Sequence, residues 1–295
     1  MGGWAFAVAA VLAFALGTVI GSFLNVCIWR LPREESVVRP PSHCPECDHR
    51  LAPLDLVPLF SFLCLGRRCR YCGAAISWRY FTVELITGLL FVGLWLSQGP
   101  ALVAHGGAGD LYRLFAYLGF TAVLVAAFFT DLDHMIIPDE LVIAGLALGL
   151  SEDLVGYLTG SHGLWQGQVP FTQFVLMLPR SVVGAVVGAG FFVGLELFSQ
   201  AVFRREGMGG GDMKLGAAIG SLLGPGLALL SFGLSVFLGA VVGGLLLATR
   251  LKGRKDYIPF GPFIVVCTLA VLFAPEWAGQ TAVAGWKAYL ASFHG

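Results

Sequence analysis

The chain has 295 residues, 57% of them hydrophobic and 12% charged, with a mean hydropathy of +0.81 and a formal net charge of zero. Soluble domains carry about 25% charged residues, so this composition excludes an ordinary soluble domain and implies a protein that crosses a membrane several times. The lack of a basic surplus argues against a nucleic-acid partner.

The first apolar segment runs from about Trp4 to Ile28, long enough for a bilayer that needs about 20 residues per crossing. It does not read as a secretory signal, because no basic run precedes it and its basic flank, Arg30 and Arg33, follows it. Within GTVIGSFLNV, Gly17, Gly21 and Ser22 form a small-residue face for close helix packing, and Asn25 is placed for an interhelical hydrogen bond. A polar stretch over residues 30–80 carries eight Lys and Arg. Further spans are predicted at roughly 81–97, 112–130, 136–158, 172–200, 213–224, 226–249 and 259–275. The segment 213–224 is short and rich in glycine, which makes seven the competing count. With these spans, 15 of the 18 Lys and Arg fall on one side, which the positive-inside rule makes cytoplasmic, with both termini facing outward. The reading is an all-α polytopic membrane protein of about eight transmembrane helices. It divides into a first helix (1–29), a small cytoplasmic zinc-binding domain (30–80), a membrane core (81–275) and an interfacial tail (276–295).

Two pairs in the polar stretch, Cys44-Pro-Glu-Cys47 and Cys69-Arg-Tyr-Cys72, stand 21 residues apart. Each pair clamps a metal from one tight turn, and four thiolates suit tetrahedral zinc. Disulfides are the alternative, disfavoured on a reducing cytoplasmic side. A closed four-sulfur shell leaves no position for a reacting water, so the metal is expected to be structural. Cys27 and Cys267 sit on apolar spans as packing residues.

The third span ends in FFTDLDHMIIPDEL, with Asp131, Asp133 and Asp139 at its cytoplasmic end. Asp139 and Glu140 suit the first turn of the next helix, where negative charge meets the helix dipole. Asp131 directly follows the apolar run and lies deepest, while His134 reads as solvated. Later comes GMGGGDMKL (207–215), a break between apolar segments that ends in Asp212 and Lys214. Its glycines each cost about 1 kcal/mol in a helix, so they are there to permit backbone conformations other residues avoid or to let another backbone approach closely. Asp131 and Asp212 thus meet at one membrane face. Two nearby carboxylates cannot both ionise readily, so one keeps a proton while the other acts as a base on water. Lys214 is expected to point to water or lipid headgroups. Glu84 is expected to pair with Arg79 or Asn25, Glu196 to face the bundle interior, and Glu206 to hydrogen-bond the glycine loop. In YIPFGPF (257–263), Pro259, Gly261 and Pro262 break helix at the last span.

Taken together, GSFLNVCIWRLP, the paired CxxC motifs, RYFTVELITG, DLDHMIIPD, EGMGGGDMKL and IPFGPF occur in an order that resembles the bacterial type IV prepilin leader peptidases, over about residues 15–265. These are GxGD-type intramembrane aspartic proteases. The resemblance implies a bifunctional enzyme of the bacterial inner membrane with its active site facing the cytoplasm. Such enzymes cut the leader from prepilins or pseudopilins after a glycine, then methylate the new N-terminus using S-adenosylmethionine. It implies Asp131 and Asp212 as the catalytic pair, and it decides between Asp131 and Asp133. It also implies that the four cysteines belong to the cytoplasmic domain of bifunctional members. The methyl donor has no Rossmann-type glycine motif to bind, and Glu84 is the residue named towards its site. The alternative is a proton- or cation-coupled transporter using the same carboxylates.

Overall fold

A computed structural model of the chain describes residues 3–161, 164–168, 175–204, 208–249 and 258–273. The tail 276–295, most of the basic segment 250–258 and Glu206 lie outside the described residues. Helix α1 (Gly3–Arg30) leads into a loop domain that contains a one-turn helix, α2 (Phe60–Cys64). Then come α3 (Trp78–His105), α4 (Ala108–His134) and α5 (Asp139–Leu158). Strands β1 (Trp165–Gln168) and β2 (Val175–Leu178) form an antiparallel hairpin, followed by α6 (Arg180–Phe203), α7 (Gly210–Ala248) and α8 (Gly261–Phe273). Among the described residues six helices, α1 and α3–α7, are long and apolar enough to cross a membrane, and α8 is a shorter apolar helix of 13 residues. The protein is an all-α polytopic membrane protein apart from the hairpin.

The hairpin corrects one predicted boundary. Val175–Leu178 pairs as a strand, so helix α6 begins only at Arg180, not at 172. Hydropathy alone does not separate a short apolar strand from the start of an apolar helix.

Helix α4 is the hub: 72% of its most apolar window is buried, against 17–39% for the other five long helices. The helices around it close on small residues, as apolar surroundings require. A Cβ on Gly17 would stand 2.8 Å from the Gly88 Cα, and one on Gly21 2.7 Å from the Glu84 Cα, which seats α1 on α3. Gly184 opposes Gly220 and Gly188 opposes Gly216 along the seam between α6 and α7.

Helix α7 has 39 residues. At 1.5 Å per residue it would be roughly 58 Å long if straight, about twice the hydrocarbon thickness. It breaks at Gly224 (φ 74°, ψ 172°), followed by Pro225, which has no N–H for the helix ladder. The second arm turns back. Gly211, at the start of the first arm, packs on Ile137 beyond the end of α4. Gly239 of the second arm packs on Phe260 and Phe263, and Ser231 shares a hydrogen bond with Thr268, 3.1 Å away on α8. Both arms therefore return to the end of the bundle where α4 finishes.

A polar network closes the opposite end. Arg113 on α4 pairs with Glu152 on α5 at 3.2 Å, and Asp153 accepts from the backbone N–H and hydroxyl of Ser181 on α6 at 2.9 and 2.7 Å. Arg180 donates to the Leu223 carbonyl beside the break in α7, at 2.5 Å.

Candidate active site

Asp131 lies one turn before the end of α4, and Asp212 lies in the first turn of α7. Both are buried, at 7% and 8% exposure, and they are close enough that the charge of Asp131 acts on Asp212. The helix cap at Gly209 (φ −75°, ψ 149°) turns the chain into α7, and the N–H of Asp212 closes that turn on the Gly209 carbonyl at 3.1 Å. A Cβ on Gly210 would meet nothing within 4 Å, so open space borders the glycine run beside Asp212. A backbone N–H, that of Gly261 at the start of α8, donates to Asp131 Oδ2 at 2.9 Å.

The neighbouring acids are committed elsewhere. Asp133 forms an ion pair with Arg79 of α3, and Asp139 pairs with Lys214 at 2.6 Å. The second pair corrects the expectation for Lys214: it bridges the starts of α5 and α7 instead of pointing to water or headgroups alone. Both its partners are more than half exposed, so it adds little stability. His134 is half-buried, with an Nε2 that lacks a partner among the described residues.

Glu196 of α6 does face inward, and it reaches the loop before Asp212. Its carboxylate accepts from the Met208 backbone N–H and from Gln200 Nε2, each at 2.8 Å. Among the described residues this is the acid that holds the glycine loop, the role expected of Glu206.

The four cysteines of the loop domain come together. Their sulfurs all lie within 4.8 Å of one another, and Cys44 and Cys72 are 3.8 Å apart, with no disulfide among them. A tetrahedral shell with metal–sulfur bonds of about 2.3 Å has sulfurs about 3.8 Å apart, so the cluster has the dimensions of a metal site. The two halves repeat one backbone design. Cys44 N–H bonds to the His49 carbonyl and Leu51 N–H to that of Ser42; Cys69 N–H bonds to Ala74 and Ile76 N–H to Arg67. Asp48 and Gly73 occupy equivalent left-handed positions at φ 54° and 76°. The N–H groups of Cys72 and Tyr71 point at Cys69 and lower its thiol, while burial and the neighbouring sulfurs raise that of Cys72.

Two family models divide the chain. One described as Bacterial Peptidase A24 N-terminal domain matches residues 15–98, and one described as Type IV leader peptidase family matches residues 118–244. A Prepilin leader peptidase/N-methyltransferase of Aeromonas salmonicida (strain A449) is 36% identical over 280 residues, covering 86% of this chain and 87% of that protein. The chain belongs to the type IV leader peptidase family. A Myxococcus xanthus (strain DK1622) protein of the same description is 38% identical over 248 residues, covering 83% of this chain and 66% of that protein. One from Bacillus subtilis (strain 168) is 30% identical over 253 residues, covering 86% and 89%. No solved structure gives a significant match.

Within this leader peptidase family member, the first matched stretch contains the cysteine domain and the second contains both Asp131 and Asp212. Glu84 sits at the junction of the loop domain with the helices. Its carboxylate accepts from the Leu59 N–H at 2.8 Å and interacts with Ser22, not with Arg79 or Asn25. Leu59 is held at φ 58° and ψ −46°, a conformation costly for a residue with a side chain, so Glu84 clamps a strained loop onto α3. Asn25 instead donates to the Tyr80 carbonyl in the first turn of α3 at 3.1 Å, an interhelical bond as expected. Gly261 lies beyond both matched stretches.

Proposed function

We propose that this chain removes the leader from type IV prepilins or pseudopilins at the cytoplasmic face of the bacterial inner membrane, and that Asp131 and Asp212 carry the cleavage. One carboxylate takes a proton from water as it attacks the scissile carbonyl. The other, protonated, polarises that carbonyl and then protonates the leaving amine. No covalent acyl intermediate is needed. The observation that carries this reading is the pairing of two buried aspartates from different helices, with Asp133 and Asp139 engaged in ion pairs of their own. The open space at Gly210 leaves room for an extended substrate backbone.

The amine released by cleavage is then methylated, with S-adenosylmethionine as the methyl donor. We place this step at the junction between the cytoplasmic domain and α3, where Glu84 clamps the Leu59 loop. Cys44, Cys47, Cys69 and Cys72 hold one structural Zn²⁺, whose charge balances the thiolates and fixes the two halves of the domain. Counting α1, the two arms of α7 separately and α8, the protein has eight spans, and its active site opens to the cytoplasm.

The test is intact-mass analysis of a prepilin incubated with full-length enzyme and S-adenosylmethionine. Loss of the leader with gain of one methyl group is expected. Asp131→Asn and Asp212→Asn are each expected to abolish cleavage while still methylating a pre-cleaved pilin peptide. Cleavage by either variant would overturn its assignment. A folded, zinc-loaded wild type that cleaves no prepilin would favour the transporter reading.

A further inference from the structure

The motif Ile258-Pro-Phe-Gly-Pro-Phe263 brings no acid or base of its own to the two aspartates. The first N–H groups of any helix lack partners within it, and Pro262 in the first turn of α8 gives up only an N–H that had none to lose. The N–H of Gly261 finds its acceptor 130 residues back along the chain, at Asp131 Oδ2. A Cβ at this position would stand 2.5 Å from that oxygen and 2.9 Å from the Asp131 Cγ. Glycine is therefore required for the backbone to reach the carboxylate. The donor is also firmly placed. Phe260 packs against Gly239 of α7 and lies 6.4 Å, ring to ring, from Phe192 of α6. The Phe260 carbonyl in turn accepts the N–H groups of Phe263 and Ile264 at 3.0 and 3.3 Å.

We propose that Gly261 is a positioning residue that divides the roles of the two aspartates. Its N–H, at the positive end of α8, holds Asp131 as the ionised base and leaves the shared proton on Asp212. This rests on the reading of Asp131 and Asp212 as the catalytic pair. The other charged groups around Asp131 do not supply the asymmetry. Arg79 of α3 is paired with Asp133, and Asp139 of α5 with Lys214 of α7. Glu140 of α5 is exposed, and His134 follows on the same helix as Asp131. Arg30 of α1 is bound to the Ser36 carbonyl, and α8 brings no Asp, Glu, Lys, Arg or His. At Asp212 the N–H of Gly209 approaches the carboxylate, but only Asp131 has the full hydrogen bond from α8.

The experiment uses the full chain in lipid nanodiscs, made by cell-free synthesis with glycolic acid in place of Gly261. The resulting ester deletes the N–H and keeps the shape. Gly261→Ala, which keeps the N–H and adds the clashing Cβ, is the second variant. For the ester, kcat for prepilin cleavage should fall about tenfold at neutral pH with KM unchanged. The acid limb of its pH–rate profile should rise by about one pH unit, the scale of one hydrogen bond to a charged group. Gly261→Ala should lose cleavage further, and both should methylate a pre-cleaved pilin peptide as wild type does. A wild-type acid limb in the ester variant, with Asp131→Asn and Asp212→Asn inactive, overturns this inference alone. Cleavage by Asp131→Asn overturns the catalytic assignment beneath it.

Discussion

Glu196 offers the sharpest test of how the glycine loop is held. Its carboxylate bonds to the Met208 N–H, four residues before Asp212, and Met208 packs on the hydrophobic core. Glu196→Ala removes that acceptor and the one used by Gln200. A hydrogen bond to a charged acceptor contributes about 1.5–3 kcal/mol, and each 1.36 kcal/mol is tenfold in rate or population. The fraction of molecules with Asp212 correctly placed should therefore fall about ten- to a hundredfold, and kcat/KM for prepilin cleavage with it. Glu196→Gln keeps an oxygen for the Met208 N–H, and Gln200 can turn its own amide to match. A neutral bond is about half as strong, so the expected loss is several-fold. The assay is prepilin cleavage with the purified full chain, with methylation of a pre-cleaved peptide as the control for folding. Wild-type cleavage by Glu196→Ala would refute the argument. Equal damage from both variants would show that the charge, not the acceptor geometry, is what the loop needs.

Further outcomes follow from the same geometry. Asp133→Asn should retain cleavage within about fivefold, because it breaks only a partly exposed ion pair worth at most about 1 kcal/mol; inactivity in the cleavage assay would restore Asp133 as a catalytic candidate. Lys214→Met should likewise change cleavage less than about threefold, since its partner Asp139 is solvent-exposed, and a larger loss would mean that Lys214 acts on the aspartate pair. Elemental analysis should find about one zinc per chain, lost when Cys44 and Cys72 are both replaced by serine; a metal-free wild type with an intact loop domain would sink the zinc assignment.

Some of this was legible in the sequence for definite physical reasons. Asp131 was recognisable as the deepest acid of its cluster because an apolar run leads directly into it. The small-residue face of Gly17 and Gly21 was visible as spacing, and it is the face on which α3 sits. The paired CxxC motifs announced the cysteine cluster because their ligands are local to each turn. What was hidden depends on contacts between distant segments. The Lys214–Asp139 and Arg79–Asp133 pairs join residues on different helices, and no periodicity encodes them. In the sequence Gly261 reads only as a helix breaker, because its contribution is a backbone N–H, which leaves no mark beyond the absence of a side chain. The strand at Val175–Leu178 is not separable from helix in the sequence because four apolar residues carry no period of their own.

The two ends of the bundle are held in different ways, and the difference bears on substrate entry. Away from the aspartates, Arg113, Glu152, Asp153 and Arg180 tie α4, α5, α6 and the turn of α7 together through paired charges and hydrogen bonds in an apolar setting. Breaking a buried charged network of this kind is strongly destabilising. At the aspartate end, the backbone N–H groups of Gly261 and Met208 bond to Asp131 and Glu196, and the ion pairs, Arg79–Asp133 and Lys214–Asp139, are partly exposed. Partly exposed ion pairs contribute little to stability. On the proposal that Asp131 and Asp212 cleave a prepilin, its leader junction approaches the end of the bundle whose side-chain ion pairs are partly exposed. The polar network holds the far ends of α4–α7 together.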